Sequence, residues 1–454
     1  MEFVSVNPAT GKEFGRVPEA SPEHVEEALS EAHAAYRRWR VRPVAERAAV
    51  LHQAARLLEA DAPRLAALMS KEMGKPFREA VAEAKKSAWV CRYYAEHAER
   101  MLADEPAESD GSRAFVRYEP LGPVLAIMPW NFPFWQLFRA AAPALAAGNV
   151  VLCKHAPSTP QCADAIAALW RRAGAPRGVY TDLKLSIEAT AAVIGDPRVA
   201  AVTLTGSTRA GRAVAGEAAK HLKRTVLELG GSDPALVMPS ADLDRAVDAI
   251  VRSRTLNNGQ SCIATKRVIV HEAVADAFLA RFVAAMGALV VGDPMDESVH
   301  VGPLASSALR DALAAQVDAT VAAGARAVLG GRPLPGPGSF YPPTVLVDVP
   351  PRTPAWDDEL FGPVASVFRV PDLDAAIALA NDTPFGLGAS VWTDDEAEAA
   401  QVVARVEAGS VFVNGLVKSD PRLPFGGIKQ SGWGRELGVQ GIRELCNVKT
   451  VWIG

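Results

Sequence analysis

The chain has 454 residues, of which 49% are hydrophobic and 22% charged, a composition that excludes wholesale disorder and a length that suits two or three domains. A formal net charge of −4 leaves no basic field for a nucleic-acid backbone. Five scattered cysteines without a CxxC pair, and eight histidines that do not cluster, argue for a reducing compartment and against a zinc site or a disulfide framework.

The first residues carry neither a basic n-region nor an apolar h-region, and apolar runs such as 282–291 are shorter than a membrane span. The expectation is a soluble, cytoplasmic protein without a metal. Residues 7–12 read as a turn. Ser21 and Pro22 open a helix as N-cap and first helical residue, and the pattern stays mainly helical to about Arg100 with breaks at Pro43, Pro63 and 74–76. Residues 113–118 alternate and read as an edge strand or arm. A parallel α/β rhythm follows. Apolar strands are expected at 124–127, 150–153, 199–205 and 226–229, with helices between them ending near Gly148, Ala173 and Leu222. A second α/β unit starts after Gly230-Gly231, with a helix carrying Leu243, Val247, Ile250 and Val251 on one face. Residues 447–453 alternate as a terminal strand, which needs a sheet to join, and pairing with another subunit would supply one.

Chemistry concentrates in five places. The loop 257–262, Asn-Asn-Gly-Gln-Ser-Cys, lies between the helix and the β-branched run 268–270 and reads as a surface connection. Its Cys262 sits among polar neighbours and backbone N–H groups that can stabilise a thiolate; the competing reading is a small buried hydrophobe. Asn131, in the stiff turn Pro129-Trp130-Asn131-Phe132-Pro133, reads as an Asx-turn or an oxyanion-hole donor. Glu228 ends an apolar strand before Gly230-Gly231, as an ion-paired acid or a general base. The segment 206–211 joins a strand to a helix, a context suited to a pyrophosphate, without three-glycine Rossmann spacing. Lys154 follows a strand end and can reach a ribose or phosphate.

Taken together and in order, these stretches, with Pro160, Glu359-Leu360-Phe361-Gly362-Pro363 and Pro424-Phe425-Gly426-Gly427, resemble the NAD(P)-dependent aldehyde dehydrogenase superfamily over essentially the whole chain. The resemblance implies two doubly wound α/β domains, one Rossmann-like for the cofactor and one catalytic, with a small β oligomerisation arm. The implied boundaries are 1–110 and 119–230 for the cofactor domain, 231–430 for the catalytic domain, and 111–118 with 446–454 for the arm. It implies Cys262 as nucleophile, Asn131 as oxyanion donor and Glu228 as the base that activates water, giving a thiohemiacetal, then a thioester, then the acid. Cofactor contacts are implied at Trp130, Asn131, Lys154, His155, Ala156, Pro157, Gly206, Ser207, Leu229, Glu359 and Phe361. A homodimer or homotetramer is implied as well.

Two departures from the family pattern bear on specificity. Lys154-His155-Ala156-Pro157 lacks the glutamate that many NAD-preferring members carry three residues after the lysine, so nothing repels a 2′-phosphate. The expected cofactor is NADP, or both nicotinamide cofactors. Residues 179–183 also lack the glycine usual in that loop. Arg139 falls two helical turns after Asn131, where many relatives that oxidise neutral aldehydes have an aromatic residue; a guanidinium in a tunnel wants a carboxylate. With Trp135 and Ser419 it forms the expected substrate contacts, and the chain is similar to succinate-semialdehyde dehydrogenases. An acidic partner for Arg139 would instead favour neutral aliphatic or aromatic aldehydes. A non-catalytic scaffold is the reading from another class, and it has no reason to keep Cys262, Glu228 and Asn131 together.

Overall fold

The computed structural model describes residues 2–454. Helices Pro22–Trp39, Val44–Ala60, Ala62–Met73 and Phe77–Met101 follow the expected breaks, and Ser21 caps the first by accepting the His24 N–H at 3.2 Å. The alanine-rich faces of Val44–Ala60 and Phe77–Met101 close over the helix Trp135–Ala147, which is buried along its whole length. The N-terminal turn belongs to a two-stranded hairpin, Glu2–Asn7 with Lys12–Pro18.

Two sheets dominate. The first runs in the order Gly432–Trp433, Arg224–Glu228, Ala201–Thr205, Pro123–Ile127, Val150–Lys154 and Tyr180–Asp182, parallel except for the two-residue strand at its edge. From Pro123–Ile127 the chain first winds one way to Tyr180–Asp182, then returns to the other side. A crevice therefore opens where the order reverses, outside the carboxyl ends of Pro123–Ile127 and Ala201–Thr205. The second sheet has seven strands in the order Arg326–Leu329, Thr344–Val347, Val364–Val370, Thr265–His271, Asp233–Val237, Gly388–Trp392 and Ser410–Val413. Only Arg326–Leu329 is antiparallel to its neighbour.

The terminal strand Cys446–Ile453 departs from expectation in its partner. It pairs in register with Arg113–Pro120 of its own chain, which also holds Glu105–Ala107, so the arm is a three-stranded antiparallel sheet without help from another subunit. Among the described residues no helix is long and apolar enough to cross a membrane.

Candidate active site

The loop 257–262 is buried as far as Ser261, with Cys262 half-buried at its end, and is not a surface connection: most of its polar groups have internal partners, the Asn257 side-chain oxygen being buried without one among the described residues. Asn257, Asn258 and Gly259 all take left-handed backbone angles, with φ of 56°, 59° and 75°. Asparagine tolerates that region, and at 259 only glycine fits, since a Cβ would collide with the backbone of Gly362. The Asn258 amide donates to the Gly74 and Pro303 carbonyls at 2.8 and 2.9 Å and accepts the Gly302 N–H at 2.6 Å. The Asn257 backbone N–H donates to the Glu79 carboxylate at 2.7 Å, and its side-chain amide donates to the Asn131 carbonyl at 2.7 Å. Arg254 donates to the Gly259 carbonyl from beneath. Most of the polar sequence is satisfied within the protein.

That cage fixes Cys262 against Asn131. The Asn131 amide donates one N–H to the Gln260 carbonyl at 3.0 Å, leaving the other, and its oxygen accepts from Gln136 at 3.4 Å. Lys266, four residues after the cysteine and almost wholly buried, donates to the carbonyls of Ser261 and Cys262 at 2.7 and 2.6 Å. It also lies 3.3 Å from Glu359, whose same oxygen accepts the Gly231 N–H at 3.1 Å. Sequence reasoning missed Lys266. The polar surroundings do not yield a low-pKa thiol: burial pushes Cys262 up to about 12, against the pull of Lys266 and Arg139.

Two cavities meet at the cysteine. One, of about 260 Å³, is lined by Trp130, Asn131, Gly206, Leu229, Glu359 and Phe361 among others, with the Trp130 and Phe361 rings edge-to-face at 5.8 Å. It occupies the crevice at the reversal of the first sheet. Ser207 also lines it while capping the helix Thr208–Lys220, accepting the Ala210 N–H at 3.3 Å. The second cavity, of about 160 Å³, contains Lys86, Trp135, Arg139, Lys418, Ser419 and Phe425 in its wall.

Glu228 lines neither cavity. Its carboxylate is buried at the end of the strand Arg224–Glu228, with no hydrogen-bond partner for either oxygen among the described residues. Burial holds it well above the usual carboxylate range, with Arg139 opposing and Glu436 reinforcing.

Arg139 corrects an expectation. Its guanidinium forms a buried ion pair with Glu436, lies over the Phe425 ring at 4.6 Å, and makes long contacts to Gln136 and Thr205 at 3.4 and 3.5 Å. The charge that was to meet a substrate is matched within the protein. His155 is likewise committed. Its Nε2–H donates to the Pro133 carbonyl at 2.9 Å and its Nδ1 accepts the Ala156 N–H at 2.9 Å, and burial lowers its pKa to about 4, so the neutral ring fastens one turn to the other. Lys154 ends its strand half-buried and without an ion-pair partner among the described residues, Ala156 is buried and Pro157 exposed. Trp135 donates its indole N–H to Ser419 at 3.1 Å.

The model of the aldehyde dehydrogenase family matches residues 1–451. The chain belongs to the aldehyde dehydrogenase family. As a dehydrogenase of this family it is 53% identical, over the whole of both chains, to "Succinate-semialdehyde dehydrogenase [NADP(+)] 1" of Mycobacterium ulcerans. It is 52% identical to the NADP(+) enzyme of that kind from Mycolicibacterium paratuberculosis, covering 100% of this chain and 97% of the other. Among solved structures, Gox0499 superposes with a TM-score of 0.99 at 42% identity over 100% of both chains. The succinic semialdehyde dehydrogenase of Streptococcus pyogenes in complex with NADP+ superposes at 0.97 with 36% identity over 99% of both. The fold expectation of parallel α/β sheets with a small antiparallel arm agrees with these neighbours.

Proposed function

We propose that this aldehyde dehydrogenase oxidises succinate semialdehyde to the diacid with NADP, and that Cys262, Asn131 and Glu228 carry the reaction. The observation that supports this best is the meeting of two cavities at one sulfur, a crevice at the sheet reversal on one side and a cavity with cationic walls on the other. The names of the relatives give the same substrate and cofactor.

In this reading the Cys262 thiol gives its proton to water and its sulfur adds to the aldehyde carbon. The new oxyanion is held by the uncommitted N–H of Asn131 and the Cys262 backbone N–H. A nicotinamide nucleotide held by Trp130, Gly206, Leu229, Glu359 and Phe361 would supply the hydride acceptor for that carbon, and Cys262 would then carry a thioester. Glu228 takes a proton from water, which attacks the thioester; the carbon–sulfur bond breaks and the acid leaves. To do so the Glu228 side chain must rotate away from Arg139 and Glu436 toward the thioester.

The cavity fits a nicotinamide nucleotide. Glu359 presents an oxygen with no partner among the described residues, beside Gly230, where a Cβ would come within 2.5 Å of it. Its carboxylate would accept ribose hydroxyls, with Trp130, Gly206, Leu229 and Phe361 around the ring. Lys154, at the adenosine end and with no acid near it, suits a 2′-phosphate. Division into a cofactor domain, 1–110 with 119–230, a catalytic domain, 231–430, and an arm belongs to the same proposal.

The ion pair of Arg139 with Glu436 favours a second reading, oxidation of neutral aldehydes. A screen of succinate semialdehyde, butanal and benzaldehyde with each nicotinamide cofactor separates the two. The expected result is a kcat/KM at least tenfold higher for succinate semialdehyde than for butanal, and higher with NADP than with NAD. Equal values for butanal would sink the carboxylated-aldehyde reading.

A further inference from the structure

The charges around the second cavity pair off almost completely. Lys75 is buried in an ion pair with Glu83, whose other oxygen accepts the N–H groups of Phe134 and Trp135 at 2.9 and 3.0 Å. Arg139 is held by Glu436, and Asp420 by Arg422 at 2.6 Å. Glu79 accepts the Asn257 N–H. Lys418 is exposed at the rim.

One cation in the wall remains. Lys86 projects from the helix Phe77–Met101 and has no carboxylate within ion-pair distance among the described residues. Its ammonium donates to the Ser419 hydroxyl oxygen at 2.9 Å and lies 4.3 Å from the centre of the Trp135 ring. Ser419 accepts from both Lys86 and the Trp135 indole, so its own O–H is left to donate. A half-buried ammonium whose direct contacts are a hydroxyl and an aromatic face, with Glu83 and Asp420 acting on it only through space, is poised to take an anion. Burial and the neighbouring Arg139 lower its pKa to about 8, so it still carries its proton at neutral pH.

We infer that Lys86 and Ser419 form the subsite for the carboxylate at the far end of the aldehyde, the ammonium giving the charge and the hydroxyl a second donor. This rests on the substrate reading above and moves the anchoring charge from Arg139 to Lys86. The aldehyde end then reaches Cys262 through the same cavity, whose wall holds all three residues.

The test compares Lys86→Met, which keeps the length and packing of the stem, with Lys86→Arg, which keeps the charge. The ratio of kcat/KM for succinate semialdehyde over butanal is the readout, because misfolding lowers both terms and cancels. The subsite predicts a ratio about ten- to a hundredfold lower in Lys86→Met, mainly through KM, and largely restored in Lys86→Arg. A wild-type ratio preserved in Lys86→Met overturns the subsite while leaving the substrate reading intact. A wild type that oxidises butanal as well as succinate semialdehyde overturns both. Inhibition by succinate against butyrate gives a readout without turnover: Lys86→Met is expected to weaken succinate selectively, and equal weakening of both overturns the assignment.

Discussion

Arg139 lies between two buried acids, paired with Glu436 and acting on Glu228 through space. From that placement we expect a task different from the one its position in the helix suggested. One guanidinium and two acids share this buried site, so removing the positive group leaves two carboxyl groups that cannot both ionise. Arg139 pulls the Glu228 pKa down, while burial and Glu436 push it up. A base works only when ionised, so the deacylation limb of the pH profile should rise with pH, and Arg139→Gln should move that limb upward. A shift of about one pH unit corresponds to about 1.4 kcal/mol of lost interaction. Steady-state kcat against pH reads deacylation, and the pre-steady-state burst of reduced cofactor reads the Cys262 step separately. A raised KM for succinate semialdehyde with an unmoved profile would return Arg139 to substrate binding. The sequence offered Arg139 and Glu436 as separate residues, and no local pattern joins a helix residue to one near the C-terminal strand. Lys86 was equally hidden, one of two adjacent lysines on an amphipathic helix whose free charge appears only once every nearby acid has been assigned.

The loop 257–262 shows what element-scale reading catches and what it loses. The strand–helix alternation was legible because short β-branched runs and capped amphipathic helices are local signals. Asp242 caps the helix Leu243–Thr255 just before this loop. Elements too short for periodicity escaped, among them the strand Tyr180–Asp182 and the nine-residue helix Ile187–Gly195. The loop's depth escaped for another reason. Asn-Asn-Gly-Gln-Ser is polar enough to read as surface, and its partners, the carbonyls of Gly74 and Pro303, come from distant segments. The left-handed run positions the nucleophile, so it should be intolerant at its glycine. Gly259→Ala combines a strained positive φ, about 1–3 kcal/mol, with a clash against Gly362. The loop must shift to relieve it, and displacement of a reacting group by about 1 Å can cost on the order of a hundredfold in rate. The expected outcome is a kcat at least tenfold lower with a modest fall in melting temperature; wild-type kcat in Gly259→Ala would show that the loop does not set the position of the thiol.

At the scale of the whole molecule, the two large sheets enclose the site, whereas the three-stranded arm is left with an uncovered face. Val448 and Trp452 on the strand Cys446–Ile453 are 57% and 54% exposed, and Ile453 is 45% exposed. That strand lies at the edge of its sheet, so its outer backbone groups have no strand partner. Ser410–Val413 likewise ends the seven-stranded sheet with Val413 44% exposed. Long apolar edge strands invite pairing with another chain unless something covers them. The arm gains its internal stability from Arg113–Pro120, so a second copy is needed to bury the apolar face, not to fold the strand. We expect the protein to be a homo-oligomer in which this face is covered. Val448→Glu with Trp452→Glu places two charges on it while leaving the backbone ladder to Arg113–Pro120 untouched. Size-exclusion chromatography with light scattering should then show the wild type as an oligomer and the double variant shifted to a smaller species. The strand packs on Arg113–Pro120 and on the helix Gly438–Glu444, so the Cys262 burst should survive in whatever species forms. A wild type of 48.0 kDa in solution, or a double variant that elutes unchanged, would remove the arm from the interface.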